Sequence, residues 1–325
     1  MKVIVTGGAG FIGSHLVELL VKKNYKVTVI DNLVTGRIDN LKNIKKKINI
    51  IKADISNYSK IEKFFKNCKY VFHLAALADI VPSIEEPKKY FATNVTGTLN
   101  ILRASKKYNI KKVIYAASSS CYGLVKKFPI SEECNIKTEY PYALTKYMGE
   151  QLIVHWSKVY KIQTISLRLF NVYGLRSRTT GAYGAMFGVF LAQKINNKPM
   201  TIIGNGKQSR DFTYVTDVAR AFLLAARSKI KHEIFNVGNG KPTSVNYIVN
   251  KLGGKKVYIP KRPGEPDKLQ ASIQKIKKYL NWKPMITIDQ GIEIMIKNIQ
   301  DWNLAPIWTP KKIKIKTKLW FKYLK

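Results

Sequence analysis

The first thirteen residues constrain this chain more than any other stretch. Lys2-Val3-Ile4-Val5-Thr6 is a short apolar run that breaks into Gly7-Gly8-Ala9-Gly10-Phe11-Ile12-Gly13, and amphipathic spacing starts directly after it. That order predicts a buried strand, a glycine-rich turn and then a helix. The glycines allow a tight turn and close backbone approach, while the helix start offers N–H groups and a positive dipole end to a pyrophosphate. The next apolar run, KVTVID, ends in Asp31, 24 residues past Gly7 and near the spacing of about 20 expected of a ribose-binding carboxylate. Asp there accepts from both ribose hydroxyls and repels a 2′-phosphate, which favours NAD over NADP. The opening lysine and apolar residues loosely imitate a secretory leader, but the run stops at the glycines and no small-residue cleavage site follows.

The same rhythm continues. KVIVT, KVTVID, INIIKAD, YVFHLAA, KKVIYAAS and QTISLRLF read as successive strands, with helical patterns between them such as FIGSHLVELLVKK, VTGTLNILRASKKY and YALTKYMGEQLIVHWSKVY. Apolar runs that are continuous rather than alternating fit a parallel sheet covered on both faces, so the expected fold is α/β with a doubly wound parallel sheet. After Gly174 the texture changes to brief helices (GAYGAMFGVFLAQKI, VTDVARAFLLAARS, SVNYIVNKL) among segments rich in Gly, Pro and Asn. The expected division is a dinucleotide-binding domain over residues 1–174 and a smaller α/β substrate domain over 175–325, with chain crossing back to the first. Hydrophobic residues make up 46% of the 325, enough for a packed core and against disorder. No apolar run approaches the ~18 residues of a membrane span. Cys68, Cys121 and Cys134 show no paired spacing, so neither a disulfide framework nor a metal site is expected, and the cytoplasm is the default compartment.

The net charge of +37 raises the question of nucleic acid. Only nine of the 57 basic residues are Arg, however, and the lysines run from end to end alongside abundant Ile and Asn. That pattern reads as a coding bias rather than a nucleic-acid footprint. A positive surface would still attract a substrate that carries a diphosphate.

Tyr142-Ala143-Leu144-Thr145-Lys146 follows Pro141 at a helix start, and spacing of four puts phenol and ammonium on one face. A nearby cation favours tyrosinate and would move the phenol from about 10 toward neutrality, where it can serve as a base. The strand end Ala116-Ala117-Ser118-Ser119-Ser120-Cys121-Tyr122-Gly123 supplies three hydroxyls at the edge where doubly wound sheets bind ligands.

In the order TGGAGFIGSH, DN…TG, HLAA, NVTGT, ASSSCYG, YALTK, RLFNVYG, RDFTYVTDV, NVGNG and RPGEP, the chain resembles the extended short-chain dehydrogenase/reductases that act on nucleotide sugars. The likeness covers all but the last twenty or so residues and is nearest to the UDP-glucose and UDP-N-acetylglucosamine 4-epimerases. It implies a Rossmann fold, tightly held NAD and a UDP-sugar substrate. It also implies that Tyr142 is the base, Lys146 its activator, and Ser118 a holder of the sugar 4-hydroxyl beside Ser119 and Ser120. Gly7, Gly10, Phe11, Ile12 and Gly13 would wrap the NAD pyrophosphate. Asp31 and Asn32 would hold the adenosine ribose, and Asp54 with Ile55 the adenine. Leu74, Ala75, Ala76 and Asn94 would line the path toward the nicotinamide. Asn171, Arg210, Arg262 and Glu265 would surround the UDP diphosphate and ribose.

The residues after Ser118 separate the sister chemistries. The similar 4,6-dehydratases carry an adjacent Asp-Glu pair where this chain has Ser119 and Ser120, and the UDP-glucuronate decarboxylases usually keep a Glu at the Ser120 position. The reductase-epimerases use a cysteine there, and Cys121 is one residue off. Of the histidines at 15, 73, 155 and 232 none has a site-like setting, and His73, ending a buried strand, reads as a satisfied core residue. Tyr, Lys, Ser and NAD are what a UDP-sugar 4-epimerase requires. A UDP-glucuronate 4-epimerase, a 4,6-dehydratase, a decarboxylase and a non-catalytic NAD-binding scaffold are the alternatives. Ala78 and Ser272 depart from residues seen in relatives. Leu269 stands where some epimerases carry a bulky tyrosine, which would leave room for an N-acetyl group. A homodimer through the helices starting near Asn94 and Tyr142 is implied, and the stripe Leu152, Trp156, Val159 could serve it or the core. The closing KKIKIKTKLWFKYLK admits contact with an anionic membrane surface, but the favoured reading packs Trp320, Phe321 and Leu324 back on the domain.

Overall fold

The computed structural model describes residues 1–177 and 186–324. The first five residues of the predicted helix GAYGAMFGVFLAQKI lie outside the described residues, and its remainder is the helix Met186–Ile195.

Seven parallel strands form one sheet, in the order His232–Val237, Gln163–Leu169, Lys112–Ser118, Tyr70–His73, Lys2–Thr6, Lys26–Asp31, Asn49–Lys52. Chain order runs outward from Lys2–Thr6 to one edge and then resumes on its other side at Tyr70–His73. The carboxyl ends of those two strands therefore diverge into a crevice, the place where doubly wound sheets receive ligands. Both faces are covered, which is why nearly every residue of these strands is buried. The helix Phe11–Lys22 shows how: Leu16, Val17 and Leu20 recur at helical spacing and are fully buried against the sheet and the helix Val215–Arg227. Each such side chain contributes about 1.5–3 kcal/mol relative to exposure.

The seventh strand, His232–Val237, comes from beyond residue 174, and its pairing with Gln163–Leu169 runs over six residue pairs. The helix Val215–Arg227 with Ile276, Leu280 and Trp282 joins the sheet's core, while other parts of the later chain build a second core from Phe187, Phe190, Phe212, Tyr214 and Trp302, among others. Aromatic rings knit it: Tyr173 stacks on Phe187 at 4.7 Å and meets Tyr214 edge-on at 5.3 Å. This knot seats the paired short strands Asn171–Tyr173 and Phe212–Tyr214 beside the sheet's carboxyl edge. Directly before Phe212–Tyr214, the buried Asp211 carboxylate accepts from the N–H groups of Asn239, Gly240 and Ala271. Burial raises this carboxyl to about 6, against the opposing pull of those amides. Among the described residues no helix is long and apolar enough to cross a membrane.

Candidate active site

A cleft of about 710 Å³ opens at the carboxyl edge, within the range of ligand pockets. At its dinucleotide end Gly7 turns with φ +69°, a value that favours glycine, and an added Cβ would lie 2.7 Å from the Ala75 nitrogen. A Cβ at Gly13 would fall well inside contact with the Gly7 carbonyl oxygen and 2.8 Å from Gly8 Cα. Gly10 precedes the helix, and no side chain caps it, which leaves the first-turn N–H groups for a ligand. Phe11, Ile12 and Gly13 line the same wall. Asp31 is buried, with its oxygens accepting from the Ala9 N–H at 3.0 Å and the Leu33 N–H at 2.9 Å. Burial holds its carboxyl above the usual range while those two amides oppose the shift. A carboxylate has about four acceptor sites, so two remain for ribose hydroxyls. These residues fit a dinucleotide. Gly13→Ala is expected to raise the dissociation constant for NAD more than tenfold, because the turn must open to admit the methyl; fluorescence titration of NAD measures it.

Two residues expected at the cofactor, Asp54 and Asn94, stand just behind the lining of the cleft. Asp54 turns its carboxylate to Ser56 and to the Asn32 amide at 2.9 Å, and its neighbours Ala53 and Ile55 line the cleft instead. Asn94 is 1% exposed, and its amide is spent on both backbone groups of Leu77 and on Thr145 Oγ1. It pins from behind the loop whose Leu74, Ala75, Ala76 and Ala78 face the cleft.

At the centre the strand Lys112–Ser118 ends in a hydroxyl hub. Ser118 Oγ accepts from the Tyr142 hydroxyl at 3.1 Å and from the Ser120 N–H at 3.2 Å, and shares a 2.8 Å bond with Ser120 Oγ. Tyr142 sits in the first turn of the helix Pro141–Tyr160, where Pro141 at the helix start needs no N–H partner. Lys146, one turn on and 4% exposed, holds its ammonium 4.2 Å from the Tyr115 ring centre. Burial lowers that ammonium to about 7, with Glu150 pulling the other way. The phenol of Tyr142 is raised by burial, with the Ser118 and Ser120 hydroxyls opposing. The expected depression by the lysine is thus not the net effect in the protein alone, since both groups lose hydration together. Cys121 points into the core, where burial pushes its thiol up to about 12. His73 is fully buried between Thr6 Oγ1 and Thr98 Oγ1.

At the far end Asn171, Arg210, Arg262, Glu265 and Leu269 line the wall. Glu265 pairs with Arg210 at 2.9 Å and with Arg262 at 3.9 Å. Burial lowers the Arg262 guanidinium to about 10 while Glu265 opposes. Sequence reasoning missed Tyr140 and the placement of Trp320. Tyr140, whose ring stacks on Tyr142 at 6.2 Å, is betrayed only by its place before Pro141. Trp320 reaches the cleft from the last described helix, which no motif signals.

Residues 3–238 match the NAD dependent epimerase/dehydratase family. The UDP-glucose 4-epimerase of Thermotoga maritima, solved with UDP-glucose, superposes with a TM-score of 0.88 at 34% identity, over 92% of this chain and 99% of its own. The UDP-N-acetylglucosamine 4-epimerase of Methanobrevibacter ruminantium M1, in complex with UDP-N-acetylmuramic acid, gives 0.86 at 35%, over 91% and 98%. The UDP-glucuronate 4-epimerase of Thermodesulfobacterium geofontis is 35% identical over 329 residues, covering 96% of this chain and 99% of its own.

Proposed function

We propose, from the premise that this chain belongs to the NAD dependent epimerase/dehydratase family, that it inverts C4 of the hexose of a UDP-sugar, with UDP-glucose and UDP-galactose or the N-acetylated pair as substrates. It is an NAD-dependent nucleotide-sugar epimerase. The observation that carries the finer reading is the 3.1 Å bond from Tyr142 to Ser118, in a cleft where Ser119 and Ser120 stand in place of an acid–base pair.

Tyr142 takes the proton of the 4-hydroxyl and Ser118 holds that hydroxyl in line. Bound NAD, held by Gly7, Gly10, Gly13 and Asp31, would supply the hydride acceptor and donor for C4 and a positive charge that favours the tyrosinate. Lys146, packed one turn away, adds its charge to the same end when protonated. The resulting 4-keto sugar turns about its diphosphate and presents the opposite face of C4 for the hydride's return, while Tyr142 gives the proton back to the 4-oxygen. Arg210 and Arg262 grip the diphosphate through guanidinium forks, with Glu265 and Asn171 beside them at the ribose. Gly7, Gly10 and Gly13 seat the cofactor pyrophosphate, and Asp31 its ribose. Leu269, an aliphatic lining residue, supports an N-acetyl group at C2. Exposed Phe91, Leu144 and Val159 on two neighbouring helices support pairing of two copies.

The test incubates the purified protein separately with UDP-glucose, UDP-N-acetylglucosamine and UDP-glucuronate and follows the sugars by NMR. A galacto-configured product from one of the first two is expected. Turnover of UDP-glucuronate alone would move the substrate to the acidic sugar.

A further inference from the structure

The segment 310–324 bears on the substrate end of the cleft. It forms two short helices, Pro310–Lys316 and Lys318–Tyr323, and the Thr309 side chain caps the first. Its lysines lie outside, while Ile313, Trp320 and Leu324 face inward. Ile313 joins the second core, and both Ile313 and Trp320 line the cleft. Trp320 is 5% exposed and packs on Val81. Its indole N–H donates to the Pro263 carbonyl at 2.7 Å, and the Arg262 guanidinium lies 5.4 Å from the ring centre. The ring of Tyr140, itself stacked on Tyr142, lies 6.4 Å from that of Trp320. Gly264 turns with φ +69°, and a Cβ there would lie 3.9 Å from Leu324. Phe321, with Phe128 and Val125, lines a second hollow that the loop 262–266 also borders. The loop 262–266 is thus held by the Trp320 ring and its N–H, at Arg262 and at the Pro263 carbonyl.

The Thermotoga neighbour is matched over 99% of its own length but only 92% of this chain, so this chain carries residues that neighbour lacks. The motif likeness, too, stops before the last twenty residues. We propose that Trp320 is a positioning residue of the nucleotide-sugar site, holding Arg262 toward the diphosphate, and that the strap 310–324 is thereby part of that site. The inference rests on the UDP-sugar reading above. A guanidinium on a flexible stem loses rotamer freedom when it grips a phosphate. A ring against its face and a hydrogen bond to the next residue remove that freedom beforehand.

Calorimetric titration of UDP into the NAD-loaded full chain tests this. Trp320→Ala is expected to weaken UDP binding about tenfold and Trp320→Phe about threefold, the latter having lost the N–H but kept a ring. In an Arg262→Ala background both effects should vanish, because Trp320 acts through Arg262. With UDP-sugar as substrate, KM should rise more than kcat falls. Unchanged UDP affinity in Trp320→Phe, or effects that add fully to Arg262→Ala, would overturn the proposal. If Trp320→Ala fails to retain NAD, the cycle with Trp320→Phe decides alone. If the unmodified protein binds NAD but not UDP, the UDP-sugar reading falls, and this inference with it.

Discussion

Tyr142→Phe should lower kcat about a hundredfold to ten-thousandfold, the usual range for loss of a positioned acid–base group. Phenylalanine keeps the ring and its stack on Tyr140 but removes the oxygen that bonds Ser118 Oγ. Substrate binding runs mainly through the UDP half in this reading, so KM should change much less. Steady-state kinetics on the substrate found by NMR, with NAD content checked in parallel, provides the comparison. More than a tenth of the activity surviving would remove Tyr142 as the base and point to the Ser118–Ser120 hydroxyl pair.

The second large effect concerns stability. Glu150 and Arg168 form a buried pair with bonds of 2.6 and 2.9 Å, and Arg168 also donates to the Tyr122 hydroxyl at 2.9 Å. Both side chains are almost completely enclosed. Glu150→Ala leaves the guanidinium buried without its carboxylate and is expected to cost about 3–5 kcal/mol. Replacing both residues with Met should restore much of that loss, since two apolar side chains of similar length need no pairing. Chemical denaturation of the three proteins gives the comparison. Glu150 lies one helical turn beyond Lys146 and supports its charge, so its loss should also lower the lysine further below about 7.

The strand–glycine–helix unit and the Tyr142–Lys146 spacing were legible because each is a local pattern with one structural solution. A glycine-rich turn between a strand and a helix fixes its own geometry, and four residues on a helix fix a face. The direction of the Asp54 and Asn94 side chains is not legible in the sequence. Their places in the chain match the likeness, but their side chains found nearer partners in Ser56 and Leu77, which only the folded neighbourhood decides. The cation beside the phenol is visible in sequence, whereas the burial that raises it is not. Trp320 was seen as packing back on the protein; what it packs against is set by a loop some sixty residues earlier, beyond the reach of any periodicity.

The strand His232–Val237 has a consequence for how the chain is made. The ribosome delivers Gln163–Leu169 first, and at about 5–20 residues per second the strand that covers it emerges several seconds later. Throughout that interval a nearly finished sheet presents an unpaired apolar edge. A nascent chain stalled between these two strands would be a natural client for a chaperone that shields exposed strands, and a synonymous-codon change that slows this window would be felt as lost yield rather than lost activity.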